Sequence, residues 1–333
     1  MKIIVRFPNW IGDTVLALPA LRSLRAAYPE AEIWLATHPW IKELFDSFSL
    51  IQGCFPISDK SNLRKLKETS ALIKQQCFDL GLLFTNSFSS AFLFYLARIP
   101  ERWGYVRDGR EILLTKTVRP QRKEPPLHQV DYYLSLLSQL GISAQAEGLS
   151  LDNGWVQNKE VASLLAKHRI SSKKPLIILH PGAAYGPAKR WPAAHYSRLA
   201  DLLQERLDAQ VAITGSNNDF LLAEEIQRPL KRKPVSFCGK TSLPLLASLI
   251  REASLFITND TGPMHIANAL KIPVVALFGP TDPQVTGPYQ PPAAVLKKEV
   301  ACWPCHYRQC PFDHRCLVSI SPEEVLNACR QFI

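Results

Sequence analysis

Residues 258–283, with the sequence TNDTGPMHIANALKIPVVALFGPTDP, constrain the fold more tightly than any other part of the chain. They follow the apolar run LFI at 255–257 and combine a tight polar loop, a short helical stretch, a buried-strand pattern and a second tight loop. Pro263 suits a first helical turn, because an N–H group has no helical partner there. Two apolar strands joined by one helix are typical of a parallel sheet, so the segment predicts an α/β fold.

The loop before this helix is also a candidate phosphate site. It directs free backbone N–H groups, the hydroxyl of Thr261 and the close approach that Gly262 permits towards one point, and helix N-termini attract anions. A well-capped helix after a strand has the same pattern in α/β proteins that bind no phosphate. The loop alone therefore leaves both interpretations open.

Strand and helix patterns alternate along the whole chain. In the first half, strands are predicted at residues 2–6, 33–36, 79–84 and 102–106, and helices at 14–28, 62–76, 87–98 and 128–140. Pro19 is expected in the first turns of the helix at 14–28 or at a kink in it. After a charged, proline-rich loop at 108–126 and a polar connection at 142–174, the alternation restarts at 176–179 and runs to a final helix at 322–331. This pattern predicts parallel sheets with right-handed crossovers, and 333 residues exceed one typical core. We therefore predict two doubly wound, Rossmann-like domains, 1–160 and 161–320, which face each other across a cleft at the carboxyl ends of their strands.

Composition narrows the class of protein and the nature of its partners. No apolar run is long enough to span a bilayer, and the opening MKIIVRFPNWIGD is a strand and loop pattern rather than a signal peptide, which predicts a cytoplasmic location. The eight cysteines are then expected to be reduced thiols. The net charge of +10 indicates an acidic partner, such as nucleic acid, an anionic membrane surface or a phosphorylated substrate. No segment has the aromatic pattern of an RNA-binding sheet, a zinc finger or a basic zipper, so nucleic acid is not expected.

Several polar residues follow predicted strands. Asp13 either caps the first helix or presents a carboxylate at the rim of the cleft, where it could accept a proton from a substrate hydroxyl. Lys189 could meet a phosphate as a point charge, although a surface lysine would have the same pattern. Gly182 and Gly215 occupy turns after strands, and Asp219 could hold ribose hydroxyls, in competition with acidic residues further along its helix. The chain has no GxxxxGK[ST], no GxGxxG after the first strand and no GxSxG, which argues against Walker-type, dinucleotide and α/β-hydrolase chemistry.

Four cysteines lie close together near the C-terminus, in the sequence CWPCHYRQCPFDHRC: Cys302, Cys305, Cys310 and Cys316. Their spacing could form a tetrahedral zinc site, but only one C-x2-C pair is present, where structural zinc sites usually have two. We therefore expect these thiols to hold no metal, with zinc as the alternative.

Taken together, the motifs resemble those of the ADP-heptose:lipopolysaccharide heptosyltransferases of Gram-negative bacteria, glycosyltransferases with the GT-B fold. The resemblance spans nearly the whole chain and rests on PNWIGDTVLALPALRSLRAAYP, HPGAAYGPAKRWP, GSNND, TNDTGPMHIANAL and FGPTDP. The PNWIGD opening and the Cys-rich segment look most like the heptosyltransferase II group.

The resemblance implies an inverting transfer of a heptose from ADP-L-glycero-D-manno-heptose to the heptose/Kdo inner core of lipopolysaccharide, as the second heptose onto the first. It implies that Asp13 is the general base and that Lys189 contacts the donor phosphates. The other donor-binding residues expected from the resemblance or from position are Asp260, Thr261, Gly262, His265, Gly182, Gly215 and Asp219. The residues expected to bind the anionic lipopolysaccharide-core or lipid A acceptor are Asn9, Lys60, Arg64 and Lys65.

The resemblance also implies an ADP-sugar-binding second domain, an acceptor-binding first domain and a terminal helix, 321–333, that packs back on the first domain. No cofactor is obligatory in this interpretation, since the sequence has no clear DxD motif to hold a metal, and stimulation by a divalent cation is compatible with it. The protein is expected to lie peripherally on the inner face of the inner membrane.

Two other functions share parts of this pattern. A sugar-nucleotide epimerase shares the GT-B architecture and needs no external acceptor, whereas the basic first half favours a large anionic acceptor. A non-catalytic nucleotide- or RNA-binding module would keep the loop at 259–262 but would have no need of Asp13. Turnover of an ADP-sugar with and without acceptor separates the three.

Overall fold

The computed structural model describes residues 1–45, 48–57, 63–121, 124–151 and 159–333. The chain divides into two compact units, Met1–Gly148 and Leu149–Ile333, which we call the first unit and the second unit. The division lies ahead of the boundary that the sequence predicts between residues 160 and 161.

The first unit is built on a sheet of six strands: Lys2–Arg6 (β1), Glu32–Thr37 (β2), Gly53–Pro56 (β3), Leu80–Leu83 (β4), Glu101–Tyr105 (β5) and Lys116–Val118 (β6). Its helices are Ile11–Leu16 (α1), Leu18–Ala27 (α2), Pro39–Lys42 (α3), Leu63–Gln75 (α4), Phe88–Leu96 (α5) and Gln129–Gln139 (α6). The strand order is β3-β2-β1-β4-β5-β6 and every pairing is parallel. The strands β1 and β4 lie at the centre of the sheet and are apolar except at the two ends of β1. This is expected because helices cover both faces of a parallel sheet.

The second unit repeats this topology with the strands Leu176–His180 (β7), Gln210–Ile213 (β8), Val235–Ser236 (β9), Leu255–Asn259 (β10), Val274–Phe278 (β11) and Ala293–Lys297 (β12). Its helices are Lys159–Lys167 (α7), Ala193–Arg206 (α8), Phe220–Gln227 (α9), Leu243–Arg251 (α10), Gly262–Ala269 (α11), Pro283–Thr286 (α12), Arg315–Val318 (α13) and Pro322–Cys329 (α14). The order is β12-β11-β10-β7-β8-β9, again with parallel pairings.

In both sheets the first strand is central, the next two lie to one side of it and the last three to the other. The winding direction therefore reverses between β1 and β4 in the first unit and between β7 and β10 in the second. The loops that follow these four strands diverge at the reversal, and this is where open parallel sheets bind ligands. The predicted fold class, two doubly wound parallel sheets, is confirmed.

Two local predictions are corrected. The helix predicted at 14–28 is two helices, α1 and α2, because Pro19 has no N–H group to continue the helical ladder and Ala17 forms the joint between them. The loop predicted at 108–126 contains β6, which pairs with β5. The terminal helix α14 packs within the second unit, against α8, with Val325 and Cys329 in the same core as Tyr196; its expected packing on the first domain stays a prediction.

Among the residues that the structure describes, no helix combines the length and the apolar character needed to cross a membrane.

Candidate functional site

Lys189, Asp260 and Thr281 form a buried polar cluster at the reversal of the second sheet. Lys189 ends a short 3-10 turn in the loop after β7, and Asp260 directly follows β10. The Lys189 ammonium pairs with Oδ2 of Asp260, and the hydroxyl of Thr281, after β11, donates to the same oxygen at 2.6 Å. The exposed fractions of the two charged side chains are 11% and 6%. The structure thus brings together two of the predicted site residues and adds Thr281 to them.

Asn259 holds the loops after β7 and β10 in their relative positions. It is fully buried at the end of β10, and its amide donates to the carbonyl of Pro181 at 2.7 Å. Its side-chain oxygen accepts from the backbone N–H of Trp191 at 3.2 Å and from the hydroxyl of Tyr196 at 3.1 Å. Because these partners flank Lys189 along the chain, Asn259 fixes where the ammonium lies relative to Asp260.

The start of α11 presents its free N–H groups beside this cluster. Thr261 is the N-cap residue in extended conformation, Gly262 is the first helical residue and Pro263 lies in the first turn. The Thr261 hydroxyl is 3.1 Å from that of Thr258. His265 is buried one turn further along. The positive end of the helix dipole, in the loop after β10, and the ammonium of Lys189, in the loop after β7, are therefore brought together by the Lys189–Asp260 pair, as a phosphate site requires.

Asp219 forms a second buried polar group in this unit. It follows β8, accepts from the backbone N–H and hydroxyl of Ser216 at 2.9 and 2.7 Å, and pairs with Arg190 at 3.3 Å. A Cβ atom on Gly182 would lie 2.6 Å from the Asp219 carboxylate, and a Cβ atom on Gly215 would lie 2.8 Å from the Cβ of Asp219. The two glycines thus make room for Asp219. Contact of Asp219, Gly182 and Gly215 with a donor stays a prediction.

His180, at the end of β7, is neutral at physiological pH. Burial lowers its pKa to about 4, against a smaller opposing effect of the Asp219 charge. Its Nδ1 lies 3.0 Å from the hydroxyl of Thr214, at the end of the neighbouring strand β8. This histidine therefore adds no positive charge to the loop after β7.

The Cys-rich segment, residues 302–316, lies against the same loops. The N–H groups of Cys305 and His306 donate to the carbonyl of Pro280 at 3.1 and 2.9 Å. The hydroxyl of Tyr185 donates to the carbonyl of His306 at 2.6 Å, and the N–H of Ala188 donates to that of Arg308 at 3.1 Å. The segment therefore forms part of the wall beside Lys189.

The four clustered cysteines are free thiols that line one cavity of about 150 Å³ together with His314 and Arg315. In the described part of the chain, no three histidine, cysteine or acidic side chains are arranged to hold a metal ion. Burial raises the pKa of the Cys316 thiol, and the neighbouring thiols add to this shift.

In the first unit, Asp13 and Asn9 lie at the reversal between β1 and β4. Asp13 lies in the first turn of α1, whose N-cap is Trp10, so the alternative in which Asp13 is the cap is wrong. Its charge, after burial, contributes to raising the pKa of Tyr133 on α6 well above its usual value. The side-chain oxygen of Asn9 accepts from Arg6 at 2.8 Å, which leaves its amide N–H groups directed away from the guanidinium.

Two buried arginines lie behind this edge of the first sheet. Arg6 is 2% exposed and donates to the carbonyl of Ala36 at 3.0 Å; burial lowers its pKa to about 10. Arg110 is fully buried, donates to the carbonyls of Thr85 and Tyr105, and lies 3.5 Å from the side-chain oxygen of Asn86. Among the described residues neither guanidinium pairs with a carboxylate. Burial also lowers the pKa of Arg110 to about 10, where it remains a cation at neutral pH.

Two of the other predicted acceptor residues lie on helix α4 rather than in the loops at this edge of the sheet. Arg64 and Lys65 are exposed on α4, and Arg64 pairs with Glu68 at 2.9 Å. Lys60 lies outside the described residues.

Sequence reasoning missed Asn259, Thr281, Arg6 and Arg110. A buried-strand pattern that ends in Asn was a usable signal for Asn259, and FGPTDP was recognised as a motif without a role for its threonine. For Arg6, the signal was a charged residue at the end of an otherwise apolar strand. Arg110 gave no local signal, because it lies in a charged loop like any exposed arginine.

Both the sequence and the structure of this chain are similar to those of known heptosyltransferases. The family model of glycosyltransferase family 9 (heptosyltransferase) matches residues 66–315. Over 339 residues the chain is 32% identical to lipopolysaccharide heptosyltransferase 2 of Escherichia coli K12, a match that covers 98% of this chain and 97% of the relative. The structure of E. coli ADP-heptose lipopolysaccharide heptosyltransferase II matches with a TM-score of 0.85 at 30% identity, covering 100% and 98% of the two chains. An E. coli heptosyltransferase solved with ADP-2-deoxy-2-fluoro heptose shares the fold, with a TM-score of 0.74 at 16% identity and 99% coverage of both chains. These matches confirm the family resemblance read from the sequence.

Proposed function

The chain belongs to glycosyltransferase family 9, the heptosyltransferases, and we propose that it transfers a heptose from ADP-L-glycero-D-manno-heptose to the heptose/Kdo inner core of lipopolysaccharide. The full-length similarity to a lipopolysaccharide heptosyltransferase 2 favours addition of the second heptose onto the first. The observation that carries the proposal is the buried Lys189–Asp260–Thr281 cluster beside the N-terminus of α11.

The cluster suits a diphosphate leaving group. A lysine ammonium has three N–H donors, and the ion pair with Asp260 uses one of them. The remaining donors and the free N–H groups at the start of α11 can bind the phosphates together. As the glycosidic bond breaks, negative charge grows on ADP, so donors fixed at this point stabilise the transition state more than the ground state.

Asp13 is the proposed general base. It would take the proton from the acceptor hydroxyl, which attacks the anomeric carbon from the side opposite to the departing ADP, and the configuration inverts. Asp13 suits this role because it lies in a first helical turn, half-buried, next to the reversal of the first sheet. No obligatory cofactor is needed in this scheme, because Lys189 and the α11 N-terminus supply the positive charge. A divalent cation could add to it.

The first unit fits an anionic acceptor. The two buried guanidinium groups of Arg6 and Arg110 lie beside Asn9 and Asn86, and among the described residues no carboxylate forms an ion pair with either, although Asp108 and Glu111 act on Arg110 at longer range. In a low-dielectric interior such charges act over a longer range than in water. They favour a carboxylate- or phosphate-bearing acceptor such as the Kdo-bearing inner core, whereas a neutral sugar would gain nothing from them.

The acceptor's lipid implies contact with a membrane surface. On α5, Phe88, Phe92 and Tyr95 stack in a row, with Phe88 and Tyr95 42% and 49% exposed. The neighbouring helix α4 carries Arg64 and Lys65. Aromatic side chains beside basic ones suit the interface of an anionic bilayer. We therefore propose peripheral association with the inner face of the inner membrane through this surface of the first unit.

Mass spectrometry of the product tests the function. The protein is incubated with ADP-heptose and a defined inner-core acceptor that carries one heptose, with a heptose-free acceptor and a no-acceptor sample as controls. We expect the mass of one heptose to be added only to the first acceptor. Transfer to the heptose-free acceptor alone would contradict the assignment to the second heptose. Isomerised sugar nucleotide without acceptor would indicate an epimerase, and no turnover in any sample would contradict an enzymatic role on ADP-heptose.

A further inference from the structure

We infer that Arg308, in the Cys-rich segment, is a second cationic contact for the donor diphosphate, beside Lys189. This inference rests on the proposed function, since it takes the ligand of the second unit to be an ADP-sugar. The observation is that Arg308 and Lys189 lie over the same aromatic ring although 119 positions of sequence separate residues 189 and 308.

Tyr185 is the aromatic residue that both cations contact. The Lys189 ammonium lies 4.7 Å from its centroid and the Arg308 guanidinium carbon 5.2 Å, so the two charges lie within about 10 Å of each other. A ring face attracts each cation weakly, but the cations repel one another. Such an arrangement is favourable when an anion binds to both.

Lys189 and Arg308 differ in whether a carboxylate pairs with their charge. Lys189 pairs with Asp260, whereas in the described part of the chain no carboxylate pairs with Arg308. Arg190, the other arginine in this loop, pairs with Asp219. Of the three cations Lys189, Arg190 and Arg308, only Arg308 therefore carries a charge that no carboxylate of the described residues pairs with. Its guanidinium presents five N–H donors in a planar fork suited to phosphate.

The backbone fixes the position of Arg308. Its carbonyl accepts from the N–H of Ala188, the residue before Lys189, and the carbonyl of His306 accepts from Tyr185. Gly186 makes the approach possible, since a Cβ atom there would lie 2.3 Å from the Arg308 carbonyl oxygen. The loop that carries Lys189 and the segment that carries Arg308 are thus held at a fixed distance by main-chain bonds. Removal of the Arg308 side chain leaves all these bonds in place.

Calorimetric titration with ADP and with AMP tests the inference. We expect Arg308→Ala to weaken ADP binding by about tenfold to a hundredfold, the range for one charge-assisted hydrogen-bonding group. AMP binding should weaken less, because AMP lacks the second phosphate. Arg308→Lys should fall between the wild type and the alanine variant, since it keeps the charge but loses the fork.

Two further variants separate the effect of the Arg308 charge from the effect of the position of the Cys-rich segment. Arg315→Ala removes another exposed arginine of the same segment, one whose charge Asp313 already neutralises at 2.9 Å, and it should bind ADP like the wild type. Gly186→Ala keeps every charge but displaces the segment, and it should weaken ADP binding in the same direction as Arg308→Ala. The salt dependence of ADP binding should be less steep in Arg308→Ala.

The outcomes distinguish this inference from the proposed function. A wild-type protein that binds neither ADP nor ADP-heptose would contradict the proposed function, and the inference with it. Wild-type binding of ADP with an unchanged affinity in Arg308→Ala would overturn the inference alone. Equal losses in Arg308→Ala and Arg315→Ala would overturn it as well, because they would show a general field effect of the segment.

Discussion

Replacement of Lys189 by alanine should weaken both the fold of the second unit and donor binding, and the structure allows the two effects to be separated. Without the ammonium, the Asp260 carboxylate, which is 6% exposed in the wild type, keeps the Thr281 hydroxyl as a partner but loses its counter-charge. Removal of one partner of a buried ion pair typically costs about 3–5 kcal/mol of unfolding free energy. Since Lys189 is slightly exposed, we expect the lower end of that range. ADP affinity should fall by about tenfold to a hundredfold in the same variant.

The double variant Lys189→Met/Asp260→Asn separates stability from binding. Neither buried charge remains, and neutral replacements of a buried pair are often close to neutral in stability, so we expect unfolding within about 1.5 kcal/mol of the wild type. ADP affinity should stay low, because the cation is still missing. Lys174→Ala is the matched control: it breaks an exposed pair with Asp208 and should change the unfolding free energy by less than about 1 kcal/mol.

Urea unfolding and calorimetric titration with ADP measure the two quantities on the same samples. The reasoning would be refuted if Lys189→Ala unfolded at the wild-type urea concentration, since the pair would then have no role in stability. It would equally be refuted if the double variant regained wild-type ADP affinity, because the loss in the single variant would then come from local unfolding rather than from a missing phosphate contact.

Three other predictions can be tested independently. Asp13→Asn should fold normally but lose about 10²–10⁴-fold in transfer rate, as for loss of a general base, whereas Glu30→Gln, at an exposed turn of the same unit, should not; near-normal turnover of a soluble Asp13→Asn protein would exclude Asp13 as the base. Sedimentation with anionic vesicles should fall as salt rises and should fall further in Phe88→Ser, while equal binding to neutral vesicles would contradict an electrostatic association. Protein purified without metal-affinity resin should contain no zinc by elemental analysis; about one zinc per chain, lost with stability on Cys305→Ser, would contradict this.

The central strands could be predicted from the sequence because they are buried on both faces. β7, β10 and β11 are buried at every position, and their apolar runs were recognised with their correct type. The strands β3, β6 and β12 were missed, and all three lie at sheet edges. An edge strand pairs on one side and can keep polar residues, as the exposed Lys116 and Thr117 in β6 show, so apolar periodicity is a weaker guide there; of the four edge strands only β9, at Val235–Ser236, was predicted.

The site was predictable where a residue follows a strand directly. The position of Asp260 at the reversal of its sheet was predicted in this way, and that of Asp13 from the loop and first helical turn after β1, because the ends of parallel strands meet at one edge regardless of how the loops continue. The partners of these residues were not, since pairing depends on the tertiary path of the loops. Nothing in the sequence around Thr281 indicates that its hydroxyl bonds to Asp260, and nothing around Tyr185 indicates that a segment more than a hundred positions later packs against it.

The two units use one topology for two opposite electrostatic solutions at the reversal of the sheet. In the second unit the cation Lys189 is paired with a carboxylate, and in the proposed reaction it shares its charge with a diphosphate that binds and leaves in every cycle. In the first unit the cations Arg6 and Arg110 are buried and bonded to backbone carbonyls, so their charge is permanent and cannot be approached directly. A permanent field suits an acceptor whose acidic groups do not react, while a shared cation suits a leaving group whose charge changes. This difference supports the proposed assignment of the diphosphate to the second unit and of the anionic acceptor to the first, whereas the fold, which is the same in both, does not distinguish them.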